Sequence, residues 1–180
     1  MNLLSIFQQR HSIRKYTGAP IDDAALTQII QAGLLSASSR SIRPWEFIVV
    51  KDKDMLRHLS ECRTGAAWML AGADAAIVVI ANAEVSDVWI EDSSIAMANM
   101  HLMADSLGIG SCWIQGRLRT ATSTDSGTAS ITTEDYLREC LHFPEGYKLE
   151  AILSLGMPAE EKTPAELSKL PFEKIHYEKF

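Results

Sequence analysis

A chain of 180 residues and 19.9 kDa, 47% of them apolar, is long enough to bury one core. It is too apolar for a disordered tail or a collagen-like repeat. The net charge of −6 argues against a protein that coats nucleic acid through bulk charge, so any anion site must be built locally.

Three cysteines, Cys62, Cys112 and Cys140, form no C-x-x-C pair. They suit a reducing compartment better than a disulfide framework and exclude a zinc cage of cysteines. The longest apolar run, Ala75 to Ala81, is far short of the roughly 20 residues of a spanning helix. The start carries no basic residue ahead of its apolar stretch, so no signal peptide is read there. These features predict a cytoplasmic chain with no membrane partner.

In chain order, Leu3, Leu4, Ile6 and Phe7 fall at helical spacing and predict a short helix over 3–9. It ends in a basic cluster, Arg10-His11-Ser12-Ile13-Arg14-Lys15. Pro20 and Asp22 open a second helix, with Asp22 as N-cap and Leu26, Ile29, Ile30, Gly33 and Leu34 on one face. A Ser-rich loop, 36–41, leads to a predicted strand, Trp45–Val50. Asp54–Glu61 and Ala66–Ala71 read as helical, with Gly65 and Gly72 as punctuation, and Ala76–Ala81 reads as a strand.

The stretch from Ser86 to Leu107 predicts a long helix whose part 95–104 is apolar around most of its circumference. Such a helix is covered on nearly all sides, which in a chain this small predicts a second copy as partner. Gly108 and Gly110 stop it, and Ser111–Ile114 is the next strand. Residues 120–133, rich in Ser, Thr and Gly, read as a mobile loop. A helix over 133–142 ends at Pro144, and the alternation of Leu149, Ala151, Leu153 and Leu155 gives a last strand. The tail 159–180 has little periodicity yet carries Leu170, Phe172, Ile175, Tyr177 and Phe180, which need a surface to pack on. No internal repeat and no second domain is visible, so 1–180 reads as one domain.

Generic catalytic signatures are missing: no G-x-S-x-G, no phosphate-binding G-x-x-x-x-G-K-[ST] and no H-E-x-x-H. No metal site is read. Positive charge instead gathers in three places: Arg10 to Lys15, Arg40 with Arg43 around the Ser-rich loop, and Arg117 with Arg119. Each is readable as a solvated basic edge. Guanidinium beside hydroxyl also suits a phosphate dianion, and Arg10 with Ser12, or Arg40 with Ser38 and Ser39, supplies such a set. Arg117 with Arg119 is a candidate basic pair for the 2′-phosphate of NADPH.

Four of these segments carry a family resemblance. Arg10-His11-Ser12-Ile13-Arg14-Lys15-Tyr16 resembles the R-x-S-x-R-x-[FY] opening of the nitroreductase-like FMN-dependent oxidoreductases. Ser38 to Phe47, Gly108 to Ile114 and Leu155-Gly156-Met157-Pro158 follow in the family's order. The resemblance implies an α+β, nitroreductase-like fold, with a central, mostly antiparallel sheet wrapped by helices. It also implies an intertwined homodimer holding FMN at its interface, with the 159–180 tail as an arm over the partner.

Carried over by position, Arg10 and Ser12 are implied at the FMN phosphate and ribityl chain with His11 beside them, and Arg14 at the pyrimidine edge. Ser38, Ser39, Arg40, Ser41 and Arg43 are implied to approach from the partner. Trp113, Ile114, Gln115 and Gly116 are implied to line the ring, with an N–H of Gln115 or Gly116 toward N5. Lys169 is implied near the phosphate. Two departures stand out: Ser41 and Arg43 replace the Asn and Gln of many members, and Gly65-Ala66-Ala67-Trp68 lacks a basic or amide pair common before the second strand.

Trp89 is a candidate substrate contact, with a surface or core aromatic as the alternative. Cys112 reads as a buried, inert thiol and His101 as a hydrogen-bonded core residue. The implied activity is NADH- or NADPH-dependent reduction of an electron-poor small molecule, such as a nitroaromatic or quinone, by a ping-pong scheme. The flavin carries the chemistry, and no side chain is named as catalytic. The alternatives are a specialised reductase or dehalogenase of the same fold, and a non-catalytic FMN-binding protein.

Overall fold

The computed structural model describes residues 2–122 and 130–180. Four strands, β1 (Trp45–Val50), β2 (Ala75–Asn82), β3 (Gly110–Gln115) and β4 (Tyr147–Gly156), form one sheet in the order β1-β2-β4-β3, with every pairing antiparallel. β2 is the most apolar segment of the chain and lies inside the sheet, covered on both faces. Its side chains alternate between two cores. Val78 and Ile80 join Leu56, Leu59, Leu137 and Ile152 on one face, while Ile77 and Val79 join Ile29, Met97, Met100 and Leu153 on the other.

The first face is covered by α3 (Lys53–Leu59), α5 (Thr133–Leu141) and a 3-10 turn at Trp68–Gly72, the second by α2 (Asp23–Leu34) and α4 (Trp89–Ser106). A fifth helix, α1 (Leu3–Gln9), buries no residue. Its first turn is capped by Asn2, whose Oδ1 accepts from the Leu4 N–H at 3.1 Å. Asp52 and Thr132 cap α3 and α5 in the same way, accepting from Met55 and Asp135.

Several expectations are revised. Asp22 holds the N-cap position of α2, but its side chain makes no capping bond. Ala66–Ala71 is not an α-helix: the chain there is too short between Gly65 and the sheet, and it closes as the 3-10 turn. α4 begins at Trp89, three residues later than Ser86, because Ser86 turns inward toward Asp92. α4 is also not covered on all sides within one chain, since Ile95 and Ala98 stay exposed. α5 ends at Leu141, where His142 takes a left-handed φ of 57° as the capping residue.

β4 runs further than its alternation suggests, because a bulge opposite Val79/Ile80 inserts Glu150. Residues 123–129 of the loop read at 120–133 lie outside the described residues. Its described stem is tied down: Thr120 bridges Thr132, and the Ala121 N–H donates to Ile131 O at 3.0 Å. The tail contains two 3-10 turns, Leu167–Lys169 and Phe172–Lys174, and its Phe172, Ile175, Tyr177 and Phe180 are exposed. Among the described residues no helix is long and apolar enough to cross a membrane.

Candidate functional site

The basic opening segment runs along the outer edge of β3. Ser12 forms a parallel bridge with Ser111, and the Ile13 N–H donates to Ser111 O at 2.9 Å. The segment then joins the start of the tail: Thr17 N–H donates to Met157 O, Ala159 N–H donates to Lys15 O, and Tyr16 bridges Pro158. Glu160 fastens this junction, accepting from the Arg14 N–H at 2.6 Å and the Lys15 N–H at 3.3 Å. Those donors, the Arg14 amide first and then the Lys162 ammonium, hold its carboxyl down at about 2. The Arg14 backbone is therefore fixed, while its side chain forms no ion pair among the described residues.

Arg10 is oriented from below. Its Nη1 lies 2.9 Å from His101 Nε2, and His101 Nδ1 meets Ser111 Oγ. A guanidinium can only donate, so Nε2 accepts and the ring proton sits on Nδ1, pointing to Ser111. Burial first, and the Arg10 charge second, push His101 down to about 4, so the ring is neutral at pH 7. Ser12 and Arg14 both approach the Cys112 thiol, whose pKa burial raises. That thiol is buried and protonated, as read from the sequence.

Arg10, Arg14 and Lys15 form no salt bridge among the described residues, although the chain carries an excess of acid. Free guanidinium groups beside the Ser12 hydroxyl at a sheet edge are suited to a polyanion. Burial raises the pKa of Asp105, an acid close to Arg10 and His11.

The bond from Ile13 to Ser111 O fixes the parity of β3. Ser111, Trp113 and Gln115 turn their backbone groups outward, and Cys112 and Ile114 turn theirs toward β4. The Gln115 N–H is thus the donor at the open edge. The Gly116 N–H is not: it donates to Glu150 O at 3.3 Å, which removes it as a candidate for an outside acceptor. Ile114 is also corrected, because its side chain is buried in the core and its backbone groups turn toward β4. Trp113 and Gln115 share a face, with the Trp113 indole N–H donating to Gln115 Oε1 at 2.9 Å.

The Ser-rich loop lies elsewhere. Ser39 N–H donates to Asp92 Oδ1 at 2.8 Å, Ser38 Oγ accepts from the Arg43 N–H, and Arg40 pairs with Asp87 at the surface. Arg40, Ser41 and Arg43 all have φ between 53° and 56°, a left-handed conformation rare for such residues and associated with functional loops. Asp92 and His101 are nine residues apart on α4, so the two cationic groups anchor about 14 Å apart along the helix and on its opposite sides. One chain does not bring Ser38–Arg43 to Arg10–Arg14.

Lys169 pairs with Glu166 in the tail. The tail there has just returned to the opening segment, since Gln8 and Ala165 exchange two hydrogen bonds of 2.8 and 2.9 Å. Trp89, half-buried, lines a cavity of about 710 Å³ together with Arg117, Leu118, Arg119 and Thr120. Sequence reasoning missed Asp92, Glu150 and Glu160. Glu150 had a signal, an acid between the apolar Leu149 and Ala151 of a strand; Glu160 had none. Among the described residues no group of three or more His, Cys, Asp or Glu could hold a metal ion.

Comparison with known proteins adds three findings. The profile of the Nitroreductase family matches residues 7–63 and 56–157. A solved structure of an FMN-dependent nitroreductase from Clostridium difficile superposes with a TM-score of 0.91 at 44% identity, covering 98% of this chain and 99% of that one. Among curated relatives, a protein of Archaeoglobus fulgidus provisionally named NADH dehydrogenase/NAD(P)H nitroreductase is 36% identical over 98% of both chains. An NADPH-flavin oxidoreductase of Vibrio harveyi is 26% identical over 98% of this chain and 73% of its own.

Proposed function

The chain belongs to the Nitroreductase family, and from that premise we propose that it is an FMN-dependent oxidoreductase. It takes hydride from NADH or NADPH and reduces an electron-poor acceptor, a nitroaromatic or a quinone, with donor and acceptor using the site in turn. The observation that carries this reading is the set Arg10, Ser12 and Arg14 at the open edge of β3, its arginines without a salt bridge among the described residues, an anion-ready strip beside an outward N–H. Bound FMN would supply the redox chemistry, accepting hydride at N5 and passing the electrons on.

The chain's own residues bind and tune. Arg10, aimed by the neutral His101, and the Ser12 hydroxyl hold the phosphate and ribityl chain, with His11 beside them and Lys169 closing the phosphate end. Arg14 faces the pyrimidine edge, where a fixed cation stabilises the negative charge left by two-electron reduction. The Gln115 N–H is the hydrogen-bond donor toward N5, and Trp113 packs against the ring.

Ser38, Ser39, Arg40, Ser41 and Arg43 come from a second copy, so the unit of function is a homodimer. The separation of the two groups on α4 supports this, as do the exposed apolar residues of the tail. A test is steady-state kinetics with donor and acceptor varied together. Alternating use of one site gives parallel double-reciprocal lines; intersecting lines contradict it.

A further inference from the structure

Glu150 is 3% exposed and stands at the β4 bulge, which lets it and Ala151 both face α4. Its backbone oxygen accepts from the N–H groups of Gly116 and Arg117 at 3.3 and 3.0 Å. Its Oε1 accepts from the Ser94 hydroxyl at 3.2 Å. Oε2 has no hydrogen bond and lies 3.5 Å from Arg117 Nε, a buried nitrogen that also lacks a partner. A buried acid and guanidinium facing each other this loosely do little for stability, since neither recovers its hydration. The pair does fix where the guanidinium emerges.

It emerges into the 710 Å³ cavity, a volume in the range of small-molecule sites. The turn that follows is strained: Arg119 N–H donates to Gly116 O at 3.1 Å, and Leu118 takes the third position with φ 59°, where glycine is the usual occupant. Both arginines line the cavity with the Trp89 ring. Its two acids, Glu134 and Asp135, are each bonded to Arg138 at 2.9 Å, and among the described residues Arg119 forms no salt bridge.

We propose that Trp89, Arg117 and Arg119 form the recognition site for a phosphate of the pyridine nucleotide donor, and that Glu150 is the positioning residue of Arg117. The inference rests on the oxidoreductase reading. Arg117, which lines the cavity, follows the end of β3 by two residues, and its backbone oxygen accepts from Gln115 Nε2 at 3.4 Å. The phosphate is either the 2′-phosphate of NADPH or the pyrophosphate common to both donors.

The FMN-loaded protein is titrated with 2′,5′-ADP and with ADP while tryptophan fluorescence is followed, and the KM for NADPH and NADH is measured. Two variants are compared. Arg119→Ala alters only an exposed residue, and the R117Q/E150Q double variant removes both charges together, so that no buried charge is left without its partner. Each raises the donor KM by about ten-fold, the worth of one charged hydrogen bond, and weakens nucleotide binding to match. Trp89→Phe abolishes the fluorescence response. An effect confined to NADPH and 2′,5′-ADP assigns the 2′-phosphate; an equal effect on NADH and ADP assigns the pyrophosphate. Unchanged affinity in both variants, with FMN and donor oxidation retained, overturns the site. A wild-type protein that binds FMN but oxidises neither donor overturns the reading beneath it instead.

Discussion

At the scale of single residues, Arg14 and His101 divide the work of charge. Arg14 is held by its backbone through Glu160, and its guanidinium forms no ion pair among the described residues. In the proposed role it stabilises charge that appears only on reduction. Arg14→Ala should therefore lower the flavin midpoint potential more than it weakens FMN retention, measured by redox titration beside a binding titration. Lost FMN with an unchanged potential would move Arg14 to the phosphate.

His101 acts through Arg10. Its folded pKa, about 4, lies below its ordinary 6.5, so the unfolded chain takes the proton first as pH falls. Stability from this group is complete above about pH 6.5 and declines toward pH 4, by about 3 kcal/mol in all. Urea unfolding across that window should show the decline in the native protein and a flatter profile in His101→Gln, which accepts from Arg10 without titrating. The motif Arg10-x-Ser12-x-Arg14 was legible because its members are neighbours in sequence. The His101 and Ser111 acceptors beneath it were not visible as a network, because pairing 91 residues apart is decided by the sheet and α4.

At the scale of elements, periodicity carried most of the reading. β1 is found where its aromatic and β-branched run predicted it, α2 where its apolar spacing did, and α4 as well apart from its first three residues. Departures arise where length or pairing overrides composition, as in the 3-10 turn at Trp68–Gly72 and the bulge at Glu150, which a simple alternation does not reveal. The same holds at the end of β3: Gln115 and Gly116 are equivalent in sequence, and only strand parity assigns the free N–H to Gln115.

Gly116 has a different role. A Cβ there would lie 2.4 Å from Leu149 Cδ2, whereas one at Gly72 would meet nothing within 4 Å. Gly116→Ala should cost about 1–3 kcal/mol through overpacking and displace the Gln115 donor, while Gly72→Ala stays near neutral. Urea unfolding of the two variants checks the contrast, and equal effects would show that Leu149 yields without cost.

At the scale of the whole molecule, a single chain leaves apolar surface where a soluble monomer would cover it. Leu3, Leu4 and Phe7 of α1, Ile95 of α4, and Phe172, Ile175 and Tyr177 of the tail are all exposed. In the proposed homodimer a second copy would cover these surfaces and bring the Ser38–Arg43 loop to the Arg10–Arg14 strip. Light scattering should give a dimer, and removal of residues 163–180 should shift it toward monomer and release FMN together. A truncated chain that stays dimeric would assign the arm another role.

The central claim is that this chain holds FMN and loads it from a pyridine nucleotide, and the most direct measurement is an absorbance spectrum of the purified protein before and after anaerobic NADH and then NADPH. The account predicts a flavin band near ~450 nm that bleaches on donor addition. A colourless protein that takes up no added FMN would contradict it, and would show that serine at 41 and arginine at 43 have cost the chain its cofactor.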